Sequence, residues 1–183
     1  MRHLILFISL FTLLPSFAQE QGKKEYNKEV ALFRAKAFLI KDVLGDDSQV
    51  VKFGIDPLAS AKSGELTSLA YSCKQKNKRG LILGFFSNRW NPSGVTFNQY
   101  SFKNIPEDKA KELIKLIDNS IKEHKKFLNK NPDNYNYYLQ YDDLTFLIYK
   151  QNGLKIRVFW DDYDATWEST AYDRTKRRLL SIL

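Results

Sequence analysis

Leu144-Thr145-Phe146-Leu147-Ile148-Tyr149-Lys150, then Gln151-Asn152-Gly153, then Leu154-Lys155-Ile156-Arg157-Val158-Phe159-Trp160: this stretch decides the fold. Two apolar, β-prone runs flank an Asn-Gly pair, and those two residue types accept the positive φ angles that a tight turn requires. An antiparallel hairpin is the expectation. Upstream, Tyr135 to Tyr141 reads as a neighbouring strand. Downstream, Thr166 to Tyr172 reads as a last strand or the entry to a short helix, and Arg174 to Leu183 has helical character.

A similar β-rich block precedes. Gln49 to Phe53, Glu65 to Gln75, Leu81 to Arg89 and Val95 to Lys103 are rich in Val, Tyr, Phe, Thr and Leu. They are separated by Asp56-Pro57, Asn77-Lys78-Arg79-Gly80 and Asn91-Pro92-Ser93-Gly94, each with turn chemistry. Two helices complete the pattern. From Lys24 to Leu44, the residues Tyr26, Val30, Phe33, Ala37, Ile40 and Leu44 recur in steps of four and three. From Pro106 to Lys130, Ala110, Leu113, Ile114, Ile117, Ile121 and Leu128 form a second stripe, with Glu107 and Asp108 placed to favour the helix N-terminus. The strands follow one another without a helix between each pair. The expected class is α+β, a mainly antiparallel sheet of about six or seven strands with two principal helices on one face. No internal repeat, low-complexity tract or dividing linker is evident.

The beginning of the chain reads as an export signal. Met1-Arg2-His3 is a short positive start, Leu4 to Leu14 an apolar run, and Ser16-Phe17-Ala18 a cleavage site, so Gln19 becomes the first mature residue. Eleven residues cover about 16 Å as a helix, too short for about 30 Å of hydrocarbon. The expected organisation is a signal peptide, residues 1–18, and one α+β domain, residues 19–183. The expected location is the periplasm or the medium, in soluble form, with no transmembrane span in the mature chain.

Composition narrows the chemistry. The chain has 183 residues, 43% hydrophobic and 14% aromatic, too rich in core-formers for a disordered segment. Beyond the signal it has one cysteine, Cys73, and one histidine, His124, which argues against zinc ribbons, disulfide scaffolds and histidine-based metal centres. No cofactor or metal is expected. Cys73 reads as a buried thiol in a strand, and His124, within the apolar stripe, as a residue at the core boundary. A Cys73–His124 pair or an Asp/Glu pair remains as a hydrolase alternative. Asp142, Asp143, Asp161, Asp162, Asp164 and Glu168 concentrate acid late in the chain, where they suit turn caps and a solvated sheet edge.

The net charge is +8, with 21 Lys to 8 Arg. Gln19 to Lys130 carries 21 basic and 13 acidic residues, Asn131 to Tyr172 carries 3 and 7, and Asp173 to Leu183 carries 4 and 1. Lys74, Lys76, Lys78 and Arg79 form one basic cluster, and Arg174, Lys176, Arg177 and Arg178 another. Export makes nucleic acid an unsuitable partner, so the anion-binding candidates Lys74, Lys76, Lys78, Arg79, Arg174, Arg177 and Arg178 point to envelope lipid or polysaccharide. The aromatic candidates are Trp90, beside Arg89 and Asn91 at a turn, and Tyr135 and Tyr138 at a strand start. Such rings suit a sugar face or a peptide hot spot. The expected function is that of an exported, non-catalytic module that binds a protein, peptide or glycan of the envelope. Electrostatic attachment to an anionic surface is the alternative.

Overall fold

The computed structural model describes residues 29–45, 49–90, 92–132 and 134–182, with the backbone alone at 88–90, 96 and 97. The signal-like segment and its Ala18–Gln19 junction lie outside the described residues. The chain divides into two units, Met1–Ala37 and Phe38–Leu183. In the first, residues 29–37 are helical, and Phe33 is 69% exposed.

The second unit opens with a π-helical turn, Leu39–Leu44, closed by Gly45 donating to the Ile40 carbonyl at 3.0 Å. Wider π winding points Leu39, Val43 and Leu44 inward and leaves Ile40 43% exposed. Of the expected stripe, Leu44 is buried, whereas Phe33 and Ile40 are exposed. Four antiparallel strands follow in sequential order: β1 (Gly54–Ser60), β2 (Leu66–Cys73), β3 (Lys78–Trp90) and β4 (Thr96–Pro106). The first strand begins after the expected Gln49–Phe53, and Asp56 and Pro57 lie within it instead of forming a turn. An edge strand tolerates proline where no ladder donor is needed, and the register shifts between Pro57 and Ala59.

Then come α1 (Glu107–Glu123) and α2 (Lys125–Lys130), two helices where the stripe predicted one, separated at His124. A second four-stranded antiparallel sheet follows: β5 (Asn136–Tyr141), β6 (Leu144–Lys150), β7 (Leu154–Trp160) and β8 (Tyr163–Glu168). It is completed by α3 (Ser169–Ile182). The class is α+β as expected, but eight strands in two sheets replace the single sheet of six or seven. The order of four meandering strands and then a helix occurs twice, although the sequence shows no repeat. No described helix is long and apolar enough to cross a membrane.

One apolar cluster joins the two sheets. Leu81, Leu83 and Phe85 of β3 share it with Phe146, Ile148, Ile156, Val158 and Trp167 of the second sheet. Phe85 lies 5.3 Å from Trp160 and 6.1 Å from Tyr163 between ring centres. Glu65 accepts from the Thr166 amide at 3.3 Å, and Glu168 from the Lys62 amide at 2.8 Å. The hydroxyl of the buried Tyr172 on α3 lies 2.9 Å from Asp118 Oδ1 and 3.2 Å from the Ile114 carbonyl on α1. Its phenol is pushed far up by burial and by the neighbouring Asp118 carboxylate, so it stays a donor.

The central strands of the first sheet, β2 and β3, are buried on both sides. Leu66, Ala70, Leu81, Leu83 and Phe85 face the shared cluster, while Leu69, Tyr71, Cys73 and Ile82 are equally buried on the alternate side. On that side Phe38 meets Phe102 at 5.7 Å, and Lys78 donates to the Val43 carbonyl. Gly80 makes room for a ring there: a Cβ would collide with the Ile105 carbonyl and stand 2.9 Å from Tyr71 Cε1. Gly80→Ala is accordingly expected to lower stability by about 2 kcal/mol, measured by chemical denaturation. An unchanged midpoint would show that Tyr71 and β4 yield freely.

Candidate functional site

Period-two alternation sorts the second sheet into a core face and an outer face. Tyr137, Leu139, Phe146, Ile148, Ile156, Val158, Ala165 and Trp167 point to the shared cluster. The outer face is ordered by the strand register. Asn136, Tyr149, Lys155 and Glu168 form one cross-strand row; Tyr138, Leu147, Arg157 and Thr166 the next; Gln140, Thr145, Phe159 and Asp164 the third. Tyr138 is 68% exposed and Phe159 37% exposed. Arg157 donates through Nε to Asp164 Oδ2 at 2.7 Å, which fixes the guanidinium between the aromatic positions. Two exposed rings, the apolar Leu147 and an oriented arginine thus share a surface that no described element of this unit covers. Aromatic rings and arginine are the side chains that dominate the centres of protein interfaces.

One rim of this sheet meets β4 and α1 in a polar cleft of about 300 Å³, lined by Lys103, Asn104, Ile105, Pro106, Lys109, Tyr141, Asp142 and Leu144. The β5–β6 turn supplies the Asp142 carboxylate to it, with Asp143 next in sequence. Asp143 accepts from Lys103 Nζ at 2.6 Å and from Trp160 Nε1 at 3.0 Å, and Asp142 accepts from Lys109 Nζ at 2.7 Å. Tyr141 donates to Glu112 at 2.8 Å; burial, reinforced by that carboxylate, pushes its phenol up to about 12. Burial works to raise the Asp143 carboxyl, but the hydrogen bonds from Lys103 and Trp160 prevail and hold it below its ordinary value. These groups neutralise one another, so the cleft clamps α1 and β4 to the second sheet instead of presenting an activated base.

The residues singled out from sequence are dispersed. Tyr138 is on the open face, and Tyr135 stacks on Phe127 at 4.9 Å just before β5. Arg89 and Trp90 end β3 with only their backbones described, and Asn91 lies outside the described residues. Lys74 and Lys76 lie on a short 3-10 turn. Arg79 pairs with Glu107 at 3.1 Å and donates to the Ile182 carbonyl at 3.3 Å, which brings the basic turn beside the C-terminal helix. Arg178 donates to the Leu58 carbonyl at 3.1 Å and Arg177 to the Asp173 carbonyl at 3.4 Å, while Arg174 is exposed. Several of the expected anion ligands therefore hold the fold together.

Cys73 and His124 are not brought together. Cys73 is 1% exposed, on the side of the first sheet that faces away from the shared cluster. His124 sits at the α1–α2 joint against Tyr137, at 4.8 Å, on the other side. Among the described residues no group of three or more His, Cys, Asp or Glu is placed to hold a metal ion. Leu147, Tyr149, Arg157 and Phe159 were missed by the sequence reading. Their alternation with Phe146, Ile148, Ile156 and Val158 was the available sign.

The Asp143 clamp has a pH signature. Its carboxyl is held below the ordinary 3.8, so the charged form contributes stability above that value, and the contribution fades as pH falls through the folded-state value. The stability gap between the natural chain and Asp143→Asn is expected to narrow between neutral pH and about pH 3 in denaturant titrations. A gap independent of pH would mean that Asp143 acts by shape alone. In comparisons with protein-family models, curated proteins and solved structures, the chain matches none.

Proposed function

We propose that this protein is an exported, non-catalytic binding module that engages a protein, peptide or glycan of the envelope through the outer face of β5–β8. The observation that carries the reading is the open aromatic face itself. The central strands β2 and β3 of the first sheet are buried on both sides, whereas the second sheet leaves Tyr138 and Phe159 exposed around Leu147 and the Arg157–Asp164 pair. The export part rests on Met1–Ala18.

A second reading has its own support. Arg79 donates to the Ile182 carbonyl and so ties the basic Lys74–Arg79 turn to the C-terminal end of α3, the helix that carries Arg174, Arg177 and Arg178. That end suits an anionic lipid or polysaccharide, with binding that weakens steeply as salt rises.

The test is affinity capture of the tagged protein from envelope extract, washed first at low and then at high salt. A specific partner is expected to survive the high-salt wash, and Phe159→Ala should weaken its retention about tenfold or more. Lys74→Glu with Arg174→Glu should leave that retention intact. The opposite pattern, loss on charge reversal and none with Phe159→Ala, would transfer the function to the basic end.

A further inference from the structure

We propose that β5 is a self-association strand, through which two copies of this chain pair antiparallel and join their second sheets into one. The two-residue turn Asp142–Asp143 closes on the Tyr141–Leu144 pair. Alternation in an antiparallel ladder then turns the backbone groups of Tyr137, Leu139 and Tyr141 toward β6 and those of Asn136, Tyr138 and Gln140 away from it. No hydrogen bond reaches those outward N–H and C=O groups among the described residues.

Other edges of the two sheets carry the usual protection. The β1 edge has Asp56, Pro57 and an interrupted register. The β8 edge has Asp164 and Glu168, and Glu65 occupies the amide of Thr166. The β4 strand has Lys103 and ends in Pro106. By contrast β5, Asn-Tyr-Tyr-Leu-Gln-Tyr, has no charge, no proline and an unbroken register.

The occupant follows from the strand's own sequence. A two-fold axis at Tyr138 sets that ring opposite its copy and Asn136 opposite Gln140; on the core face Tyr137 meets Leu139 and Tyr141 meets Tyr135. These are aromatic, amide and aromatic–aliphatic cross-strand pairs, and none of the paired β5 residues is charged, although each chain carries +8. Moving the axis to Gln140 would place Tyr138 against Asp142, and moving it to Asn136 would place Gln140 against Pro132. Beneath the edge runs α1, fixed by Glu112 on Tyr141 and His124 on Tyr137. Leu116 shares that helix face at i+4 spacing. Leu116 at 39%, Phe127 at 45% and Tyr138 at 68% exposure border the same edge. Pairing across the axis covers this apolar border, and a C2 contact needs only such a self-complementary patch.

The full-length chain should sediment as a dimer that dissociates on dilution. Tyr138→Lys and Tyr138→Glu, each placing like charges on the axis, should weaken association about tenfold or more, and mixing them should restore it as a heterodimer. Asn136→Lys with Gln140→Lys, which charges the edge without touching Tyr138, should also yield monomer, with circular dichroism reporting the fold of each variant. A natural chain that stays monomeric at every concentration overturns the proposal. So does a dimer that persists in the lysine variants, or a charge-swapped mixture that fails to associate. Phe159→Ala, which tests the open face, should leave the dimer unchanged, so the two readings can fail separately.

Discussion

Phe85 packed on Trp160 and Tyr163 makes a single core out of two sheets. The rest of the architecture follows from that contact. Because the inner side of β3 is committed to the second sheet, its other side must find separate cover, and Leu39, Val43 and Leu44 are buried in the π-helical turn that precedes it. Because α1 and α3 are tied through Tyr172 and Asp118, they join the core, and among the described residues of this unit no helix covers the opposite side of the second sheet. A fully buried Trp167 and Tyr172, edge to face at 5.1 Å, anchor the end of β8 to that arrangement. Rings of this size dominate core energetics, so the contact between sheets is the constraint to which loops and edges adapt.

Much of this was legible locally. The Asn152-Gly153 turn, with φ of 52° and 115°, forms as its chemistry demands, and α1 begins directly after Pro106 with Glu107 and Asp108 in its first turn. What failed was non-local. The division into two sheets lies in which strands become neighbours, and alternation along one strand says nothing of its partner. Pro57 reads as a turn in isolation, yet an edge position lets it remain in a strand. In the first helical stripe the π-helical turn Leu39–Leu44 changes the period, so Leu39 and Val43 are buried in it while Ile40 is exposed.

The candidate site was half visible for the same reason. Tyr138 is a candidate from sequence alone, but its row-mates Leu147 and Arg157 belong to other strands and appear beside it only through register. Basic residues looked like a ligand surface because charge is readable without contacts, whereas Arg79, Lys176 and Arg178 are bound to Glu107, Asp118 and the Leu58 carbonyl. Charge counted along a chain overstates the charge left for a partner.

The central claim is that partner recognition belongs to the outer face of the second sheet. Amide hydrogen exchange on the full chain, alone and with the partner retained in capture, tests it most directly. The account predicts added protection concentrated in β5–β8. Protection confined instead to the Lys74–Arg79 turn and α3, with β5–β8 unchanged, would contradict it.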